Sequence, residues 1–312
     1  MAFIGVDLGG TKLAAAAFTE GGELLHREST PLGNRRGAAV GSLIVDRIKD
    51  LSARYGLDGA GVCVPGLYRA ARGTVWAPNI PEWDDYPLRE ELRTALGADA
   101  ELTIDSDRAA YILGETWRGA AVGARDAIFL AVGTGIGAGI MTDGRVLRGH
   151  GDVAGAIGWL ALDRPYMPRY AHHGCFEDQA SGPGLVRVAR DLLARDPRYM
   201  GALRHADALE AGAIFAAHES GDPIAGQVLD NAVELWGMAV ANLVSVFNPE
   251  IIVFGGGVFG PAEQLLDRIR DEARRWAQPI AIEQARLVTS ALGSDAGLFG
   301  AGRLAMLGTG VT

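Results

Sequence analysis

Hydrophobic positions in the opening thirty residues come in short runs broken by glycine. Phe3-Ile4-Gly5-Val6-Asp7 is mostly apolar and ends on an acid, which predicts a buried strand carrying a carboxylate out to its tip. Gly9-Gly10 predicts a tight turn, Leu13 to Phe18 a second strand, Glu20-Gly21-Gly22 another turn, and Glu23 to Thr30 a third strand. The spacing then changes. Val40, Ile44, Ile48, Leu51 and Tyr55 repeat at helical intervals, so an amphipathic helix is expected, stopped by Gly56. Gly59 to Val64 returns to the sheet, and Pro65-Gly66 closes it. Thr74 to Pro87 is irregular, Arg89 to Leu96 a short helix, Glu101 to Asp105 a strand, and Arg108 to Trp117 a helix.

The opening pattern then recurs. Ala127 to Val132 reads as a strand, Gly133-Thr134-Gly135 as a glycine turn, and Ile136 to Met141 as a strand. Asp143-Gly144 is a hairpin turn leading into Arg145 to Arg148, since Asp-Gly between apolar runs favours the left-handed hairpin turn. One grammar used twice implies an internal duplication: two related lobes, each offering a glycine turn to a shared cleft. Gly151 to Gly184 has little periodicity. Leu185 to Leu193, Ala206 to Ala217, Pro223 to Phe247 and Pro261 to Trp276 read as helices. Ile251 to Phe254 is a buried strand running into Gly255-Gly256-Gly257, and Arg286 to Thr289 is strand-like. Asp295 to Leu307 is a closing helix whose Gly297, Gly300 and Gly302 allow close backbone packing. These readings give an α/β fold with a small N-terminal lobe, 1–116, on which the C-terminal helix within 295–312 packs back, and a large lobe, 117–294.

Composition narrows the class. The chain has 312 residues, 48% of them hydrophobic, which suits two well-cored lobes. A net charge of −9 argues against a general nucleic-acid binder, which needs a basic face. The two cysteines, Cys63 and Cys175, make no disulfide framework, so a reducing cytoplasm is expected. The chain starts on a strand without a signal-type segment, and no apolar run is long enough to span a bilayer.

The candidate chemistry lies at the glycine turns. Asp7, Gly9, Gly10, Thr11 and Lys12 set an acid, two amides without a Cβ, a hydroxyl and a cation side by side. That set suits a nucleotide phosphate and its Mg²⁺, and it equally describes an ordinary glycine hairpin. Gly133-Thr134-Gly135 and Gly255-Gly256-Gly257 follow apolar strands in the same way. The first two turns could hold β- and γ-phosphates, and the third could leave flat space for adenine. Gly133 to Gly139 is not a dinucleotide fingerprint, because the spacing is wrong and a strand follows instead of a helix. Phosphoryl transfer to an alcohol also needs a carboxylate to receive the proton. Asp105-Ser106-Asp107, where a strand meets a helix, supplies one, although Ser106 or Asp107 also fits a plain N-cap.

Several segments resemble the ROK family of sugar kinases and repressors, in particular its glucokinase-like kinases, whose fold is of the actin/hexokinase type. VDLGGTK resembles the first phosphate motif, and APNIPEW, Ala77 to Trp83, the sugar loop. SDRAAYILGE, Ser106 to Glu115, resembles the stretch with the catalytic aspartate, and VGTGIGAGI, Val132 to Ile140, the second phosphate motif. GDVAGAIGW, Gly151 to Trp159, and HGCFE, His173 to Glu177, resemble the signature region, and PEIIVFGGGV, Pro249 to Val258, the adenosine motif. The resemblance implies a duplicated ATPase fold with two lobes around a cleft, and the cofactors ATP and Mg²⁺. It implies Asp107 as general base and Asp7 holding Mg²⁺ through water. Pro65, Gly66, Asn79, Ser106, Asp107, Ala156, Trp159 and Glu177 would lie around a sugar or cyclitol acceptor. It further implies a homodimer.

The departures from that pattern carry their own expectations. Ser106 stands where the family usually has Asn. Ala156 and Trp159 replace a Glu and a His that grip sugar hydroxyls. Trp159, Pro168, Tyr170 and Cys175 occupy the four positions of the usual zinc ligands, so no structural zinc is expected. His172, His173 and Cys175 could form an improvised metal site or be loop residues. The expected activity is therefore ATP-dependent transfer to a hydroxyl, of the primary 6-OH type, on a modified sugar, amino sugar or cyclitol. A catalytically idle sugar-binding protein is the alternative. A repressor would need a DNA-binding helix pair before Phe3, where only Met1 and Ala2 stand.

Overall fold

The computed structural model describes residues 2–204 and 209–310. The chain divides into two compact units, Met1–Gly123 with Val146–Ala154 and Ala291–Thr312, and Ala124–Arg145 with Gly155–Ser290.

In the first unit, strands β1 (Phe3–Leu8), β2 (Lys12–Phe18) and β3 (Leu24–Pro31) form an antiparallel meander. Helix α1 (Ala38–Tyr55) leads to β4 (Gly59–Val64), which lies parallel to β1. A small hairpin of β5 (Leu67–Arg69) and β6 (Thr74–Trp76) occupies part of the stretch expected to be irregular, and α2 (Leu88–Leu96) follows. Strand β7 (Leu102–Ser106) lies parallel to β4 and runs directly into α3 (Asp107–Arg118). The sheet order is β3-β2-β1-β4-β7.

The second unit repeats this plan with β8 (Ala127–Val132), β9 (Ile136–Thr142), β10 (Arg145–Val146), β11 (Ile251–Gly255) and β12 (Arg286–Thr289), in the order β10-β9-β8-β11-β12. Both units thus set an antiparallel hairpin beside two parallel strands, as a duplication requires. The Asp143-Gly144 turn has φ of 50° and 73°, the left-handed pair a two-residue hairpin needs. The low-periodicity stretch contains short helices α4 (Tyr170–His173) and α5 (Cys175–Ala180). Helix α6 (Gly182–Arg195) starts three residues earlier than the apolar spacing suggests, because Ser181 caps it by accepting from Gly184 N. Helix α7 is Ala211–Glu219, and part of the expected Ala206 to Ala217 helix lies outside the described residues. Helix α8 (Pro223–Phe247) runs through the unit's core, with Trp236, Val240 and Val244 fully buried. It is followed by α9 (Leu266–Trp276) and α10 (Pro279–Gln284).

The closing helix α11 (Ala296–Gly308) belongs to the first unit. The sheet face carrying Val6, Val62 and Ile104 packs with residues of α1 and α2 and with Trp83. The opposite face presents Gly5 and Gly61, and α11 sits almost on the backbone there. A Cβ on Gly61 would lie 2.0 Å from Ala301 O, and one on Gly5 would lie 2.6 Å from Gly302 N. On its other side, a Cβ on Gly300 would lie 1.9 Å from Ala110 O of α3. The glycines expected to permit close packing are therefore at the point of closest approach.

Candidate active site

Parallel strands deliver their C-terminal ends to one edge, the usual place for a ligand in such sheets. Register pairs Asp7 with Cys63 and Cys63 with Asp105, so these three residues form a row across β1, β4 and β7. They share the sheet face that seats α11, just beyond the start of that helix. Gly297 makes room for Asp7: a Cβ there would lie 2.6 Å from Asp7 Oδ2.

Burial pushes the Asp7 carboxyl up to about 6, although the Cys63 thiol and Lys12 favour its charged form; Asp295 adds repulsion. Asp107 opens α3. Its Oδ1 accepts from Arg108 N at 2.8 Å. Burial pushes its carboxyl up to about 6 as well, against the Arg108 charge and that amide, and the Asp7 charge contributes to the rise. Burial beside these acids drives the Cys63 thiol well above its ordinary range. Burial makes both acids resist ionisation, and the Asp7 charge adds to the effect at Asp107; a hydrated divalent cation beside them would relieve it. The chemistry of a carboxylate oxygen suits an oxygen-liganded cation such as Mg²⁺.

Ser106 is the N-cap of α3, its Oγ accepting from Ala109 N at 3.4 Å. Capping therefore falls to Ser106, leaving Asp107 to offer its second oxygen. The buried Asp105 is held by Arg148, whose Nη2 and Nε donate to Oδ2 at 2.6 and 2.9 Å. Sequence reasoning missed Arg148. It lies in the return segment Val146–Ala154, where a single arginine after a hairpin carries no pattern. Arg108 donates to Ala154 O at 3.3 Å, so that segment is tied to both sides of Asp107.

The first glycine turn is closed by a Gly9 N to Lys12 O bond of 2.9 Å. Gly10 lies against Asn79, whose Cβ is 3.5 Å from where a Gly10 Cβ would stand. The first glycine turn and the Ala77 to Trp83 loop are therefore neighbours. Thr11 and Lys12 are exposed at this turn. Pro65 and Gly66 follow β4, and Gly66, at φ of 97°, packs on Trp76 O, fixing the base of the β5–β6 hairpin.

In the second unit the other two glycine turns meet. Val258 N donates to Val132 O at 3.0 Å, and a Cβ on Gly133 would come within 3.7 Å of Gly257 N. Gly256, at φ of 90°, would drive any Cβ into Val132 O at 2.4 Å. Glu177 Oε2 accepts from Ile136 N at 2.7 Å, bracing the Gly133-Thr134-Gly135 turn. Its carboxyl is raised mainly by burial, opposed by that amide and by His173, whose Nδ1 is 3.8 Å from Oε1. Ala156 precedes the short 3-10 turn Ile157–Trp159, and the Trp159 side chain is exposed. Around the positions of the family's usual zinc ligands, Asp163 Oδ2 accepts from Tyr170 Oη and Gln179 Nε2, each at 3.1 Å. Cys175 Sγ lies 3.9 Å from Asp163 O. No group of three or more His, Cys, Asp or Glu side chains gathers for a metal among the described residues.

The ROK family model matches residues 3–307. The chain belongs to the ROK family. It is 32% identical to a glucokinase of Halalkalibacterium halodurans over 97% of this chain and 94% of that one. The ROK hexokinase from Thermus thermophilus superimposes with a TM-score of 0.80 at 32% identity, covering 98% of each chain. A ROK glucokinase from Streptomyces griseus, solved with glucose and AMPPNP, gives a TM-score of 0.77 at 30% identity, covering 98% of this chain and 100% of that one. The fold is accordingly the actin/hexokinase type expected for a ROK chain.

Proposed function

We propose that the protein is an ATP- and Mg²⁺-dependent kinase that phosphorylates a hydroxyl of a hexose or sugar-like acceptor, with Asp107 as general base. Kinship with glucokinases at about 30% identity over almost the whole chain makes it a sugar phosphotransferase. The observation that carries the finer reading is Asp107 itself. It heads α3, Arg108 N binds its Oδ1, and its carboxyl is raised to about 6, close to where a base is efficient near neutral pH.

Mg²⁺, when bound, would neutralise charge on the phosphates. Asp7 would orient it through water. The amides of Gly9, Gly10, Gly133, Thr134 and Gly135, with Thr11 and Lys12, would hold the phosphates, and Gly255-Gly256-Gly257 would border the adenosine. Asp107 takes the proton of the acceptor hydroxyl as its oxygen bonds to the γ-phosphorus, while the bond from that phosphorus to the bridging oxygen breaks and ADP leaves. Asn79, Ser106 and Glu177, with Pro65 and Gly66, are the remaining acceptor contacts of this reading.

The acceptor differs from plain glucose in this reading, because Ala156 and Trp159 supply no hydrogen bonds to ring hydroxyls and an exposed aromatic face stands in their place. Modified sugars, amino sugars, glycosides and cyclitols suit it. Coupled ADP release across such a panel tests this. Asp107→Asn should lower turnover by about 10²–10⁴-fold. Glucose turned over as well as the best panel member would refute the acceptor, and no turnover with any acceptor would favour an idle sugar-binding protein.

A further inference from the structure

An open groove of about 550 Å³ lies in the first unit, and its walls include none of Asp7, Cys63 or Asp107. Arg72, Gly73, Thr74, Arg89, Glu90 and Arg93 contribute to its lining. Three guanidinium groups against one carboxylate are notable in a chain of net charge −9. Arg89 is already set in place. Its Nη1 donates to Ala70 O at 3.0 Å, and Tyr68 hydrogen bonds to it. Gly73, at φ of 75°, lets the guanidinium lie against the backbone: a Cβ there would be 2.4 Å from Nε. Arg93 stands one turn further along α2, on the same side as Arg89. It forms no ion pair among the described residues. Arg72 is only loosely neutralised. Asp85 reaches it at 3.4 Å while engaging Arg69 at 2.8 Å and Thr74 at 2.6 Å.

We propose that this groove is a second small-molecule site, binding a phosphate monoester of sugar-phosphate size through Arg72, Arg89 and Arg93. A guanidinium fork matches phosphate oxygens two at a time, and like charges one helical turn apart gain most from a shared dianion. The volume lies within the range of ordinary ligand pockets and exceeds what a phosphate group alone would fill. Glu90 on the same wall disfavours further acid groups and can accept from hydroxyls of the organic part. The site does not depend on the assignment of Asp107.

Calorimetry on the full chain, with Mg·ADP present throughout to occupy the nucleotide site, tests this with glucose 6-phosphate, inorganic phosphate and glucose. Glucose 6-phosphate should bind more tightly than inorganic phosphate. Arg93→Glu and Arg72→Glu should each weaken it by about tenfold or more. Both variants should keep the wild-type ADP affinity and turnover, which also shows that they fold. Absence of glucose 6-phosphate binding up to about 10 mM would overturn the proposal. So would an isotherm unchanged in both variants, since that binding would then belong to the acceptor site. Inorganic phosphate binding as tightly as the ester would overturn the sugar-phosphate assignment.

Discussion

Asp107 and Asp7 are held in a state that costs stability. Each has its carboxyl raised from 3.8 to about 6 chiefly by burial, so the folded protein binds protons that the unfolded chain has released. The cost is absent below the unfolded value, grows as pH rises and is complete above about 6. Asp107→Asn should therefore raise unfolding stability near pH 7.5 by about 1–2 kcal/mol while removing activity, and the gain should fade toward pH 4. Urea titrations at the two pH values check this, and a gain that persists in acid would refute it. If Asp107 is the base, as proposed, the wild-type rate should fall as pH drops through about 6, where its carboxylate takes up a proton. At this scale the sequence was informative where a residue's neighbours are its neighbours in the chain. Asp7 stands near the end of its strand, and Ser106 and Asp107 start their helix. Arg148 and the Tyr170–Asp163–Gln179 cluster were not legible, because their partners are set by how loops return, which no spacing encodes.

Helices and strands were mostly legible because burial imposes a period. The short apolar runs of β1 and β4 mark strands buried on both faces, and the spacing in α1 marks the side that faces the core. The hairpin β5–β6 and helix α10 were missed because they are short and carry few apolar repeats. Helix α11 illustrates what pattern alone leaves open. Its glycines announced close packing, but the surfaces it meets, β1, β4 and α3, are fixed by contact. Gly300→Ala should show the difference from an ordinary helical glycine, where alanine stabilises. Its Cβ would meet backbone at Ala110 O, which cannot rotate away, so a loss of at least about 2 kcal/mol is expected in chemical denaturation. Unchanged or higher stability would show that α11 can slide on α3.

Across the whole molecule the duplication was legible from repeated apolar runs and glycine turns, and the matching strand orders bear it out. The excursion of Val146–Ala154 into the first unit was not, since that stretch has neither period nor composition to mark it. The family resemblance implies a homodimer, which we propose for this chain. Sedimentation at micromolar concentration should give twice the 32.8 kDa chain mass, and a single 32.8 kDa species would exclude it. The placement of α11 also bears on how the protein is made. The sheet of β1, β4 and β7 emerges early from the ribosome, yet the helix that covers one of its faces is synthesised roughly 190 residues later. Until then Phe3 and Phe18 lack the Leu298 and Met306 that enclose them. The nascent N-terminal half therefore leaves the exit tunnel with an apolar flank still uncovered.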